Sequence, residues 1–157
     1  MLDELAVRQV LGRYVRAHDS RDGAAMAALF TADAQVEILY SNRGEMESLG
    51  GIEGREAIAA AVAAMMKPHP DRGWSQNLLS GVLVEIDDDR ATVDAQFMVF
   101  DIVGDSKPDG GWPADALGAQ GRITPIESGY YRPSLVRLDG RWLIQSLRIV
   151  HHLPMAF

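Results

Sequence analysis

Three polar side chains that could do acid–base chemistry stand together at the end of the first amphipathic segment. Tyr14 and His18 are four residues apart and so share one face of a helix, and Asp19 follows directly. A carboxylate held partly out of water binds a proton more tightly, which suits a general base near neutral pH. A phenol can donate a hydrogen bond to a carbonyl oxygen or a leaving hydroxyl. The pattern indicates a pocket with Asp19 as candidate base and Tyr14 as candidate donor.

Each of these side chains also has a purely structural interpretation. Asp19 is well placed for an Asx-type turn or for a pair with Arg16 or Arg21. Tyr14 fits a core position with its hydroxyl at the helix edge, and a lone histidine such as His18 is more often a satisfied helix-end residue. Both interpretations stay open on the sequence alone.

The other histidines do not form a recognisable metal site. His69 lies in a loop between two prolines, and His151 and His152 are neighbours on a predicted strand, so their side chains should point to opposite faces. The chain has no cysteine, which removes disulfides and thiolate chemistry. We therefore expect neither a metal nor a cofactor.

Composition and charge narrow the classes of function. The 157 residues contain 15 Lys and Arg against 22 Asp and Glu, a net charge of −7, which disfavours nucleic acid as a partner. No apolar run approaches the ~20 residues needed to span a bilayer, and the acidic start lacks the features of a signal peptide. We expect one domain over residues 1–157, in the cytoplasm, with no membrane partner.

Helical periodicity dominates the first part of the chain and strand patterns the second. Asp22 is a plausible N-cap for a short second helix. Residues 104–121, rich in Gly, Pro and Asp, form a long connection that is either a disordered insert or an ordered cover over a cavity or dimer contact. The remaining predictions are a first helix over about 3–18, a strand over 35–40, a loop over 41–51, a third helix over 54–66, and strand pairs 74–86 with 91–103 and 123–138 with 141–150.

This order of elements, with the segments LFTADAQVEI, GREAI and LDGRWL, resembles the SnoaL-like branch of the nuclear-transport-factor-2-like superfamily. Scytalone dehydratase, polyketide cyclases and lindane dehydrochlorinase are relatives of this branch. The resemblance implies an α+β, cystatin-like cone in which three N-terminal helices pack on a curved antiparallel β-sheet. It also implies a homodimer formed through the outer face of the sheet.

The resemblance further suggests roles for individual residues. Asp19 matches the aspartate that supports a catalytic histidine in the dehydratases, and Tyr14 matches the oxyanion-binding tyrosine of ketosteroid isomerase. Asn77 stands where the dehydratase histidine is expected, and Ile38 and Ser134 stand near the base and second oxyanion donor of the isomerase. Since an amide accepts no proton at neutral pH, the Asp/His dyad is broken and steroid-type isomerisation lacks its base.

A further group of residues is predicted to contact substrate. Arg137 resembles an active-site arginine of lindane dehydrochlorinase, and an arginine on an apolar strand face needs a partner or an anionic ligand. A solvent or dimer face with a partner such as Glu85 is the alternative for either arginine. The candidate substrate-binding residues are His18, Tyr40, Trp74, Phe97, Phe100, Tyr130, Arg137 and Arg148.

These observations lead to a predicted function with two alternatives. The prediction is a cofactor-independent lyase, isomerase or cyclase acting on a small hydrophobic molecule that bears a carbonyl or hydroxyl group. Asp19 would move the proton while Tyr14 and Asn77 hold the oxygen. The alternatives are a non-catalytic domain that binds a small ligand, and a subunit similar to the β subunit of ring-hydroxylating dioxygenases.

Overall fold

A computed structural model of the chain describes residues 1–156 and shows a six-stranded sheet with helices from the N-terminal half. Within these residues no helix is both long enough and apolar enough to cross a membrane. The elements are α1 (Leu2–Ser20), α2 (Gly23–Ala27), β1 (Phe30–Asn42), β2 (Glu45–Glu53), α3 (Arg55–Ala60), a π-helical turn (Ala61–Met65), β3 (Gly73–Asp87), β4 (Arg90–Gly104), β5 (Gly121–Leu138) and β6 (Arg141–His151).

The strands lie in the order β2-β1-β6-β5-β4-β3. Neighbouring strands are antiparallel except β1 and β6, which pair in parallel. The predicted α+β class and cystatin-like fold are confirmed, and the sheet is antiparallel apart from the β1–β6 pair. The parallel pairing joins the strands that come first and last along the chain, with β2 on one side of this pair and β5, β4 and β3 on the other.

Helix α1 forms as its periodicity predicts. Its apolar stripe is buried against the sheet, and Asp3 and Glu4 lie in the first turn, at the positive end of the helix dipole. The helix ends at Arg21, whose φ of 58° is left-handed. The predicted N-cap is also present, because the Asp22 carboxylate accepts a 2.9 Å hydrogen bond from the Ala25 amide of α2.

The prediction of a loop over 41–51 is wrong, because most of this segment is strand β2. Arg43 and Gly44 have φ values of 53° and 87°, which make a two-residue hairpin turn between β1 and β2. Strand β2 lies at the sheet edge and is exposed over most of its length, so its sequence shows no alternation of apolar and polar residues. The sequence therefore lacked the pattern by which strands are recognised.

The third helix occupies the predicted segment but changes its winding. After α3, the Met66 amide bonds to the Ala61 carbonyl at 3.2 Å, five residues back, as in a π-helix. Ala61, Val62, Met65 and Met66 of this wider turn line the cavity described below. The long connection over 105–120 contributes no residue to that cavity. Met155, which follows β6, lines it instead.

Candidate functional site

A cavity of about 420 Å³ lies between α1, the π-helical turn and the inner face of the sheet. This volume is in the range of small-molecule sites. Most of its wall is apolar, with Met26, Phe30, Val36, Ile38 and Ile58 among the contributors. The polar or ionisable side chains in the wall are Tyr14, His18, Arg21, Ser75, Glu127, Tyr131 and His151.

Asp19 lies behind this wall and not in it. Its two carboxylate oxygens accept hydrogen bonds from the Asn77 backbone amide, both at 3.1 Å, and Oδ1 also accepts one from Asn77 Nδ2 at 2.6 Å. One residue advances a helix by about 100°, so Asp19 points to β3 while Tyr14 and His18 face the cavity. The partner of Asp19 is thus Asn77 rather than Arg16 or Arg21.

The end of α1 is tied to the start of β3 by two further side chains. His69 Nε2 bonds to the Asp19 carbonyl at 2.6 Å, while His69 Nδ1 accepts from the Ser75 amide at 3.2 Å. Arg21 donates to the His18 carbonyl at 2.7 Å and to the Ser75 hydroxyl at 3.1 Å. Burial lowers the pKa of Arg21, and the nearby charge of Asp19 opposes that change. These contacts hold His18 and Asp19 in fixed positions.

Two tyrosines lie side by side in the wall. The Tyr131 hydroxyl donates to Asn77 Oδ1 at 2.7 Å, and its ring meets that of Tyr14 edge-on, with centroids 5.2 Å apart. Burial, followed by the charge of Glu127, raises the pKa of Tyr14; burial, followed by the charges of Tyr14, Glu127 and Asp19, raises the pKa of Tyr131. Both phenols therefore keep their protons at neutral pH and act as hydrogen-bond donors.

These raised pKa values predict a loss of stability in alkaline solution. A phenol whose pKa is higher in the folded than in the unfolded protein contributes stability that is complete below about pH 10 and is lost as the pH rises further. For Tyr14→Phe we expect the fall in unfolding free energy between pH 10 and 11 to be smaller than in the unmodified protein by up to about 1.4 kcal/mol. Urea unfolding at the two pH values measures this difference, and identical slopes would contradict the assignment.

A carboxylate and an imidazole meet on the sheet side of the cavity. Glu127 lies on β5 and His151 at the end of β6, and Oε1 of Glu127 is in ion-pair contact with Nδ1 of His151. The ring is not aligned for a regular hydrogen bond, and Nδ1 is enclosed with the Glu127 oxygen beside it. The side chains of His151 and Glu127 are only 10% and 21% exposed. The cavity thus holds a buried acid–imidazole pair.

The sequence profile of the SnoaL-like domain matches residues 1–148. The chain belongs to the SnoaL-like family. This confirms the resemblance found in its sequence segments, and it accounts for the helix order and the sheet.

Solved structures share the fold of this SnoaL-like chain at low identity. The β subunit of a candidate aromatic-ring-hydroxylating dioxygenase from Novosphingobium aromaticivorans has a TM-score of 0.71 and 14% identity, over 99% of this chain and 93% of that one. A protein of unknown function with a cystatin-like fold from Nostoc punctiforme has a TM-score of 0.70 and 16% identity, over 98% and 94%. A candidate scytalone dehydratase from N. aromaticivorans has a TM-score of 0.67 and 16% identity, over 99% and 88%. None of the curated proteins matches this chain.

The positions expected from the isomerase resemblance fall partly in the cavity. Ile38 lines the wall, so an apolar side chain stands near the place where ketosteroid isomerase would have its base. Ser134 lies outside the wall, on β5 opposite Ser146. Tyr14 and His18 line the cavity, whereas Asn77, with its backbone and side-chain amides bonded to Asp19, does not.

The structure places five of the predicted aromatic residues outside the cavity wall. Phe97 is buried beneath Tyr131, with ring centroids 4.2 Å apart, and belongs to the core. Phe100 and Tyr130 belong to the alternate positions of β4 and β5 that face away from the core. Trp74 stacks on His69 at 4.2 Å, and Tyr40 lies near the end of β1, outside the wall.

The two predicted substrate-binding arginines also lie outside the cavity. Arg137 bonds Asp89 at 2.7 Å and Asp3 at 2.9 Å, and Arg148 bonds Glu37 at 3.0 Å. The hydrogen bond to Asp89 is the main cause that raises the pKa of Arg137. Both arginines therefore have protein partners, although neither pairs with Glu85.

The site residues predicted from the sequence include neither Glu127 nor His151, although strand alternation places both. Glu127 is two residues from buried Gly129 and four from Tyr131, so all three face inward along β5. His151 and His152 do point apart, as predicted: His151 faces the cavity, and His152 bonds the Ser128 hydroxyl at 3.0 Å. Within residues 1–156 no group of three acidic or histidine side chains is arranged to hold a metal ion.

Proposed function

We propose that this SnoaL-like protein is a cofactor-independent acid–base enzyme, a lyase, isomerase or cyclase acting on a small hydrophobic molecule with a carbonyl or hydroxyl group. The observation that carries the proposal is the Glu127–His151 pair in the wall of an apolar cavity that also contains the Tyr14 phenol. Such a cavity favours an apolar ligand, and polar groups confined to a few points of its wall would orient it.

His151 is the proposed proton acceptor. The Glu127 carboxylate beside Nδ1 attracts a proton to that nitrogen by charge, although the ring is not aligned for a regular hydrogen bond. A proton on Nδ1 leaves a free electron pair on Nε2, as in a carboxylate-oriented general base. When Nε2 takes a proton from carbon next to a carbonyl, the C–H electron pair forms an enolate whose charge collects on oxygen. Glu127 stabilises the imidazolium that results.

Tyr14 is the proposed donor to that oxygen. Its hydroxyl makes no hydrogen bond to another residue within 1–156, and its raised pKa keeps the proton in place. The enolate then takes the proton back at another carbon in an isomerisation, expels a neighbouring hydroxyl as water in an elimination, or attacks a second carbonyl in a cyclisation. Asp19 is not the base in this scheme, because its oxygens are bonded to Asn77.

Hydrogen exchange on 2-tetralone, a bicyclic apolar ketone, tests the proposal without knowledge of the natural substrate. We expect the protein to accelerate the exchange of the α-hydrogens for deuterium in D2O, followed by NMR. A Glu37→Gln variant is the matched control, since Glu37 pairs with Arg148 at the surface and should leave the rate unchanged. Binding of 2-tetralone without accelerated exchange would contradict catalysis.

That contrary outcome would favour the second candidate, a non-catalytic ligand-binding domain. The observation in favour of this candidate is that the aspartate expected to be catalytic is fully engaged by Asn77, while the cavity remains open to a ligand. Affinity for 2-tetralone that hardly changes between pH 5 and 8, measured by tryptophan fluorescence, would support it, because histidines change charge in this interval.

We also propose a homodimer formed through the outer face of β3 and β4. Trp74, Leu78 and Met98 expose 41%, 53% and 40% of their surface there, and Leu78 lies directly opposite Met98. Neighbouring exposed apolar side chains on a sheet face are typical of a protein interface. Sedimentation velocity should show a dimer for the unmodified protein and a monomer for Leu78→Lys; a monomer in both would contradict the proposal.

A further inference from the structure

We propose that Asp19 and Asn77 are positioning residues that hold the proton of His18 on Nε2, so that His18 offers a hydrogen-bond donor to the cavity. The three side chains form a short chain of contacts from the protein interior to the cavity wall. Asn77 Nδ2 lies 2.6 Å from Asp19 Oδ1 and 3.1 Å from His18 Nδ1. The state of the imidazole follows from the orientation of the amide between them.

Three contacts fix the orientation of the Asn77 amide. The carboxylate of Asp19 can only accept, so the group facing it at 2.6 Å must be the NH2 of Asn77. Asn77 Oδ1 then accepts from the Tyr131 hydroxyl at 2.7 Å. A rotated amide would set its oxygen against the Asp19 oxygen, which is repulsive.

With the amide fixed, Nδ1 of His18 must be the acceptor. The NH2 group has two hydrogens, one used on Asp19 and the other directed at His18 Nδ1. A hydrogen on Nδ1 would meet that N–H group, donor against donor. The neutral ring therefore carries its single proton on Nε2.

The charge of Asp19 also lies near His18. Asp19 Oδ1 lies 3.6 Å from Nδ1 and would attract an imidazolium. The Asn77 NH2 group, however, donates one hydrogen to Asp19 Oδ1 and directs the other at Nδ1. The contact of the Asn77 N–H group with Nδ1 therefore determines which nitrogen of the neutral ring is bare.

The same amide determines what the cavity can recognise. Tyr131 uses its proton on Asn77, so its oxygen can only accept from a ligand in the cavity, whereas His18 and Tyr14 on α1 are donors. A ligand should therefore present an acceptor oxygen, as a carbonyl or a phenolate, to the α1 side. This last step rests on the proposed function, but the position of the His18 proton does not.

Two-bond ¹H–¹⁵N NMR of the histidine rings tests the proposal directly, because it distinguishes a protonated ring nitrogen from a bare one. A His18→Gln variant assigns the His18 signals. In the unmodified protein without ligand at pH 8 we expect Nε2 protonated and Nδ1 bare. A protonated Nδ1, or averaged signals from both forms, would overturn the proposal even if the exchange of 2-tetralone is catalysed.

Exchanging the carboxylate and the amide provides the decisive variant. Asp19→Asn combined with Asn77→Asp keeps composition, volume and net charge, and the amide introduced on α1 can then donate to the carboxylate introduced on β3. The group facing His18 Nδ1 becomes an acceptor, so we expect the proton to move from Nε2 to Nδ1. If it stays on Nε2 in the folded double variant, Asn77 does not position it.

Tyr131→Phe is the matched control. It removes the donor to Asn77 Oδ1 but leaves Asp19 to orient the amide, so the His18 proton should remain on Nε2. A proton that moves in this variant would show that Tyr131, and not Asp19, sets the amide, and the proposal would be overturned. If the double variant does not fold, the unmodified protein and this control still decide the question.

Discussion

His151→Gln is expected to slow the exchange of 2-tetralone α-hydrogens by about 10²–10⁴-fold, the contribution typical of a positioned general base. Glutamine keeps a polar side chain at this position but accepts no proton at neutral pH. Because Nε2 of His151 is the proposed proton acceptor, the loss should appear in kcat more than in KM. NMR of the ketone in D2O at several ketone concentrations measures kcat and KM, with enough protein for the catalysed exchange to exceed the uncatalysed exchange.

His152→Gln is the matched control for this prediction. It changes the neighbouring histidine, which bonds Ser128 outside the cavity wall, and should leave the exchange rate as in the unmodified protein. Glu127→Gln should act in the same direction as His151→Gln, because an amide no longer stabilises the imidazolium. Equal losses in the His151 and His152 variants would show that the effect is not specific to the cavity.

Gly129→Ala is expected to destabilise the protein by about 3 kcal/mol, at the upper end of the usual cost of overpacking a core. A Cβ atom at position 129 would overlap the Val150 carbonyl of β6 and come within 2.8 Å of the Phe97 ring. Neither can yield easily, because the carbonyl belongs to the sheet and Phe97 is stacked on Tyr131. Urea unfolding followed by circular dichroism measures the loss.

Gly12→Ala provides the comparison at a glycine with open space around it. Beyond the nearby backbone of α1 itself, no atom lies within 4 Å of a Cβ built at position 12. Alanine is favoured over glycine in a helix by about 0.8–1.0 kcal/mol. This variant should therefore be slightly stabilised. Equal stability of the Gly129 and Gly12 variants would mean that β5 and β6 can move apart to accept a methyl group, which would contradict the close contact of Gly129 with the Val150 carbonyl.

Local patterns were sufficient to predict most of the helices and long strands. The apolar stripe from Val7 to Val15 predicts α1, and the turn residues at 87–90 and Asp139–Gly140 predict the β3–β4 and β5–β6 hairpins. Strand β2 was missed because an exposed edge strand needs no apolar alternation. The parallel pairing of β1 with β6 could not be predicted, since it joins segments more than 100 residues apart and no local pattern encodes it.

The site was predicted only in part, for two physical reasons. Helical spacing puts Tyr14 and His18 on one face of α1, and both line the cavity, but the next residue, Asp19, is turned away from that face towards Asn77. Glu127 and His151 come from different strands, and only the register that pairs Gly129 with His151 brings them together. Alternation alone shows that each faces inward, but not that they meet.

The position of the ring proton on His151 tests the central claim most directly, since it needs no substrate. If Glu127 orients His151 as a base, ¹H–¹⁵N NMR of the folded protein should show Nδ1 protonated and Nε2 bare, the opposite of His18. In Glu127→Leu this preference should be lost. A proton found on Nε2 of His151 in the unmodified protein would contradict the account, because the nitrogen proposed to accept the substrate proton would already hold one.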